Sequence, residues 1–190
     1  MAFGILAGSA ALAQEECAKI TNPEDRLNCY DTAFKTVEPP KKSGDWVVRQ
    51  DTSKLDDTKT VVLMVESDQP IRKRFGGTES GTLLIRCQEN TTSLFFTWAG
   101  NFMSDLQGRG RVDYRIDDTP ASRINTDVST DNTALGLWSG GTAIPFIKRL
   151  IGANTLYVRA TPFSDSPVEM TFNISGLDQA IIPLKDACKW

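Results

Sequence analysis

The residue order predicts a mainly β protein: an antiparallel β-sandwich-like or curved sheet, with a short N-terminal helical hairpin, one internal helix and a C-terminal helix. Three observations carry this expectation. Residues 82–98, TLLIRCQENTTSLFFTW, alternate in hydrophobicity on both sides of a polar break, as a half-buried antiparallel hairpin does. Residues 111–117, RVDYRID, set Val112, Tyr114 and Ile116 against Arg111, Asp113, Arg115 and Asp117, a strand with one wet, charged face. Helical spacing is confined to residues 15–37, 143–151 and 177–188.

Taken in order, residues 1–13 form an apolar run ending Ala11-Leu12-Ala13, the form of a secretory signal cut before Gln14. No Lys or Arg precedes the run, so the signal is expected to be incomplete at its start. Residues 14–37 are expected to make a helical hairpin. Asn22 caps its second arm, Pro23, Glu24 and Asp25 fill the first turn, and Leu27, Tyr30 and Phe34 make one stripe. Residues 38–44, with Pro39, Pro40, Lys41, Lys42 and Gly44, are a linker by composition, and a β-rich domain is expected over 45–190. Its strands are 46–50, 60–67 (buried on both faces), the 82–98 hairpin, 101–107, 111–117, 122–129, 134–138, 156–161 and 168–174. Residues 68–80 are a loop with a short edge strand. Helices follow at 143–151, after a Gly140-Gly141-Thr142 cap, and at 177–188, where Pro183 should kink the helix or split off a first turn.

Composition narrows the function. The 190 residues suit one domain with a short appendage, and 40 % hydrophobic content supports a true core. The net charge of −3 argues against a nucleic-acid partner. The absence of histidine removes the commonest general base and transition-metal ligand, so neither a metal nor a cofactor is expected. No stretch is long and apolar enough for a transmembrane span. Among 24 acidic residues no acid–base couple stands out, so no catalytic residue is assigned.

Four cysteines in an exported chain suggest two disulfides, and locality favours Cys17–Cys29 with Cys87–Cys188. The first would staple a hairpin too small to hold itself together, by roughly 3 kcal/mol in the chain-entropy model. Candidate binding residues are Arg115 and Asp117 on the charged strand, and the basic run Arg72-Lys73-Arg74 beside Phe75. The plainer reading of both groups is solvated surface charge. Asp51, Asp56 and Asp57 lack the order of a calcium loop and are expected to cap turn amides. The Gly140-Gly141-Thr142 group lacks a phosphate-loop pattern. Trp46, Trp98, Trp138 and Trp190 are candidates for sugar stacking, although Trp98 falls on a core-facing alternation.

The series LNCYD, GDWVV, LDDTKTVVLMVES, LLIRC, NTTSLFFTW, YRID, FIKRLIGANTLYVRATPF, MTFNISGLDQAI and a final Cys spans residues 15–188. In this order the chain resembles the type VI secretion system-associated VasI/TagO-like periplasmic protein family. The resemblance implies a periplasmic or secreted bacterial protein without enzymatic activity, an accessory whose partners are envelope or secretion-apparatus proteins. It supplies no catalytic residues. Two other readings stand beside it. One is a secreted inhibitor or receptor-like module that binds an extracellular enzyme or phage component. The other is a cell-wall enzyme working through paired carboxylates.

Overall fold

The computed structural model describes residues 17–33, 44–103 and 109–190. The expected signal segment, Phe34, residues 38–43 of the expected linker and 104–107 of the expected strand lie outside the described residues. The chain divides into two units, Met1–Lys41 and Lys42–Trp190. In the first, helix α1 (Pro23–Ala33) begins as the sequence suggests, with Asn22 Oδ1 accepting the Glu24 amide at 2.9 Å. Cys17 is bonded to Cys29. The expected helical hairpin is not evident: among the described residues α1 is accompanied only by the short helical turn at 17–18.

The second unit is mainly β. Its strands are β1 (Val47–Thr52), β2 (Lys59–Glu66), β3 (Ile71–Arg72), β4 (Thr78–Glu79), β5 (Thr82–Gln88), β6 (Thr91–Thr97), β7 (Arg109–Ile116), β8 (Ser122–Val128) and β9 (Ala134–Leu137). After helix α2 (Gly140–Leu150) come β10 (Thr155–Ala160), β11 (Val168–Asn173), and two short helices, α3 (Leu177–Ala180) and α4 (Ile182–Cys188). Nine strands form one antiparallel sheet in the order β1-β2-β5-β6-β9-β8-β7-β10-β11, and β3 with β4 makes a separate ribbon. Residues 101–103, expected to open a strand, are irregular.

The sheet bends until its ends approach each other. Just beyond β2, the Asp68 amide donates to the Thr171 carbonyl of β11 at 2.8 Å. Phe96 of β6 and Phe172 of β11, five places apart in the sheet order, bring their rings to 6.1 Å. Asn173 donates to Asp45 at 2.7 Å, and the Trp46 indole donates to the Ile174 carbonyl at 3.3 Å. At this seam Gly44 has φ +59°, and a Cβ there would lie 2.1 Å from the Ser175 carbonyl oxygen, so only glycine fits.

The concave face holds the core. Val61, Leu63 and Val65 of β2 point inward with Leu83, Ile85 and Cys87 of β5 and Leu94 and Phe96 of β6. Val62 and Met64 are only partly buried, so β2 is not enclosed on both faces; in an antiparallel sheet the second face remains open. Helix α2 buries Ala143, Phe146, Ile147 and Leu150, the i, i+3, i+4, i+7 stripe, and packs on β6 and β9. It starts three residues earlier than the apolar spacing indicates. Gly140-Gly141-Thr142 form its first turn, and Ser139 is the residue that precedes it. Pro183 has the expected effect: the C-terminal helix divides at Ile181. Its second piece rests on β2 and β5, where Cys188 is bonded to Cys87.

Candidate functional site

The convex face of the sheet has two halves. Across β1, β2, β5, β6 and β9 the register aligns Val47, Met64, Leu84, Phe95 and Gly136. The Trp138 ring lies over Gly136 and stacks on Phe95 at 4.9 Å. Across β8, β7, β10 and β11 charged residues gather, with Arg111, Arg115, Arg123, Asp127, Arg159 and Glu169 exposed.

Asp113 is the centre of the charged half. The register places it opposite Arg123 of β8 on one side and Arg159 of β10 on the other. Arg123 Nε donates to Asp113 Oδ1 at 2.6 Å, and Arg159 Nη2 donates to Oδ2 at 3.1 Å. The hydrogen bond from Arg123, then that from Arg159, holds the Asp113 carboxyl below the usual carboxylate range. A guanidinium has five N–H donors, so each arginine keeps donors beyond the one given to Asp113. Arg111, two residues back along the same strand face, has no carboxylate partner among the described residues. These four side chains and the apolar residues Met103, Leu135, Pro162 and Phe163 line a cleft of about 540 Å³. Phe163 meets Phe102 edge-on at 6.1 Å, and the two rings are 41 % and 40 % exposed, an apolar margin beside the cations.

A split in the sheet forms the cleft. β7 pairs with β8 from Arg109 onward, yet with β10 only from Asp113 onward. Beyond Ala160 the chain leaves through Thr161 and Pro162. The edge of residues 110–112 that faces β10 therefore has no ladder partner among the described residues.

The residues singled out from sequence lie elsewhere. Arg115 makes an exposed ion pair with Asp118 at 3.4 Å. Asp117 sits one position past the end of β7 with φ 46°, where the strand alternation no longer applies. Its Oδ1 accepts the backbone amides of Asn154 at 3.0 Å and Thr155 at 2.8 Å. Arg115 and Asp117 do line one shallow pocket with Tyr157 and Thr171. There burial, then the hydrogen bond to Glu169, pushes the Tyr157 hydroxyl up to about 12. On the β3–β4 ribbon, Arg72 pairs with Asp165 at 2.9 Å and Lys73 with Glu79 at 2.7 Å. Arg74 lies over the ring of the exposed Phe75 at 5.8 Å. Two of these three cations are thus partnered, and the run lines neither pocket.

Asp51 and Asp56 accept the amides of Thr52 and Thr58, the turn-capping role expected of them. The tryptophans are engaged. Trp46 and Trp98 are buried, the Trp138 indole donates to the Asp127 carbonyl, and that of Trp190 donates to the Thr92 hydroxyl. Both disulfides join the pairs that locality favoured. No helix among the described residues is long and apolar enough to cross a membrane.

Comparison with known proteins gives three findings. The family model described as "Type VI secretion system VasI, EvfG, VC_A0118" matches residues 16–190. No curated protein matches. Among solved structures, the chain is similar to invasion associated protein B from Bartonella henselae at 13 % identity, with a TM-score of 0.49, over 77 % of this chain and 96 % of that one.

Proposed function

Because the chain belongs to the type VI secretion system VasI family, we propose that it is an exported, non-enzymatic accessory protein of the bacterial envelope. In this reading it resides in the periplasm or is secreted, and its partners are envelope or secretion-apparatus proteins. The family match across residues 16–190 carries the proposal, since it covers both disulfides and the whole sheet rather than one motif. The two disulfides suit an oxidising compartment. The ordered arginines of the cleft suit recognition of a partner surface, because guanidinium groups hold carboxylates in fixed geometry. Deletion of the gene, with complementation, tests the assignment. Effector secretion should fall, and cross-linking in intact cells followed by mass spectrometry should join this chain to secretion-apparatus proteins. Unchanged secretion in the deletion strain, with no apparatus protein among the cross-linked peptides, would refute it.

A further inference from the structure

We propose that the arginine cleft binds an extended acidic segment of a partner protein, with a carboxylate side chain held by Arg111, Arg123 and Arg159 and an adjacent apolar side chain against Phe163. This rests on the reading of the chain as a binding protein and assigns that protein a site and a ligand chemistry.

Charge is the first observation. Three cations and one carboxylate line the cleft, and Glu169, outside the lining, reaches Arg159 at 4.0 Å, so the cleft keeps a local excess of positive charge in a chain whose net charge is −3. At long range such a chain repels polyanionic surfaces. At short range the cleft attracts an isolated carboxylate, and this combination selects an acidic side chain over a nucleic acid or an anionic bilayer. The second observation is order. Asp113 orients Arg123 and Arg159 before any ligand arrives, which lowers the entropy cost of ordering them on binding. Arg111 is the cation left without a carboxylate partner among the described residues, and a ligand carboxylate supplies one. The third is shape. Among the described residues, 110–112 have no ladder partner on the side that faces the cleft, and an extended segment is the form of chain that such an edge accepts. The apolar wall and the exposed Phe102–Phe163 margin add a place for a neighbouring aliphatic or aromatic side chain.

The test uses the oxidised full chain and an arrayed library of ten-residue fluorescent peptides. Each peptide has Glu or Gln at a central position and varied apolar neighbours, and binding is read by fluorescence anisotropy. Peptides with Glu should bind about tenfold or more tightly than their Gln counterparts, because each charged hydrogen bond lost costs roughly that factor. The preference should shrink with added salt. Arg111→Gln should remove most of it, and Arg115→Gln, outside the cleft, should leave it intact. Tryptophan fluorescence checks that each variant is folded, and Arg111→Lys provides a milder change, expected to keep part of the preference, should Arg111→Gln unfold the chain. Equal binding of Glu and Gln peptides, or a preference that survives Arg111→Gln, overturns the proposal. So does tighter binding to vesicles of anionic phospholipid or to single-stranded RNA than to any Glu peptide. Cellular cross-links from apparatus proteins to other faces would leave the accessory role standing while this site fell.

Discussion

Replacing Cys87 and Cys188 together by alanine should lower the stability of the β unit by about 3–5 kcal/mol. The bond joins positions 101 residues apart in sequence, and in the chain-entropy model opening a loop of that size costs about 4.7 kcal/mol. Little of the loss should come from the folded state. Cys87 is fully buried, so alanine leaves only a sulfur-sized gap, and Leu177, Ile181 and Leu184 still anchor the C-terminal helices by burial. For a unit of roughly 150 residues the Tm should fall by about 10–15 °C. Guanidinium unfolding followed by tryptophan fluorescence measures it, with Trp46 and Trp98 buried as reporters. A second signature accompanies the first: without the cross-link the unfolded chain exposes more surface, so the denaturant slope should rise. A loss below about 1 kcal/mol with an unchanged slope would refute the view that the bond acts on the unfolded ensemble.

Gly136→Val should cost about 1–3 kcal/mol by overpacking, because a Cβ at that position would lie 2.7 Å from the Phe95 Cβ and 2.9 Å from the Trp138 ring. Thermal melts measure the cost, and the near-ultraviolet signal of the Phe95–Trp138 stack should fall with it. Asp117→Ala should cost about 1 kcal/mol by leaving the Asn154 and Thr155 amides without their acceptor, and Asp117→Asn should cost less in the same denaturant titration. Asp113 governs an acid limb. Hydrogen bonds from Arg123, then Arg159, lower its folded pKa, so its contribution is complete above the unfolded value of about 3.9 and disappears as pH falls through the lower folded one. Unfolding measured from pH 5 to pH 2 should show this decline, and Asp113→Asn should flatten it while lowering stability at neutral pH.

The hairpin β5–β6 was the most legible part of the chain. Its inward residues Leu83, Ile85, Leu94 and Phe96 follow a strict period of two, and the Glu89-Asn90 turn takes positive φ at both positions. Pro183 marked the split of the C-terminal helix for an equally local reason. The cleft was not legible, because strand order brings it together. Sequence alternation placed Arg111 and Asp113 on one face of β7. Nothing in it disclosed that β8 and β10 flank that strand, or that their register sets Arg123 and Arg159 against Asp113. Alternation also misled at Asp117, where β7 has already ended and a left-handed residue turns the carboxylate to cap the amides of Asn154 and Thr155 at the start of β10. The bending of the sheet rests on long-range contacts such as that between Asp68 and Thr171, which no periodicity reports.

The disulfide pattern also bears on the order of events as the chain is made. Cys17 pairs with Cys29 and Cys87 with Cys188, so each cysteine is bonded to its immediate neighbour in the cysteine series. In a chain that enters an oxidising space N-terminus first, an oxidant that joins thiols as they emerge produces the native pairs without reshuffling. The second thiol to appear closes the first bond, and the third waits as a lone thiol while about a hundred residues follow. During that interval Cys87 of β5 is an unpaired thiol, and the arrival of Cys188 closes it.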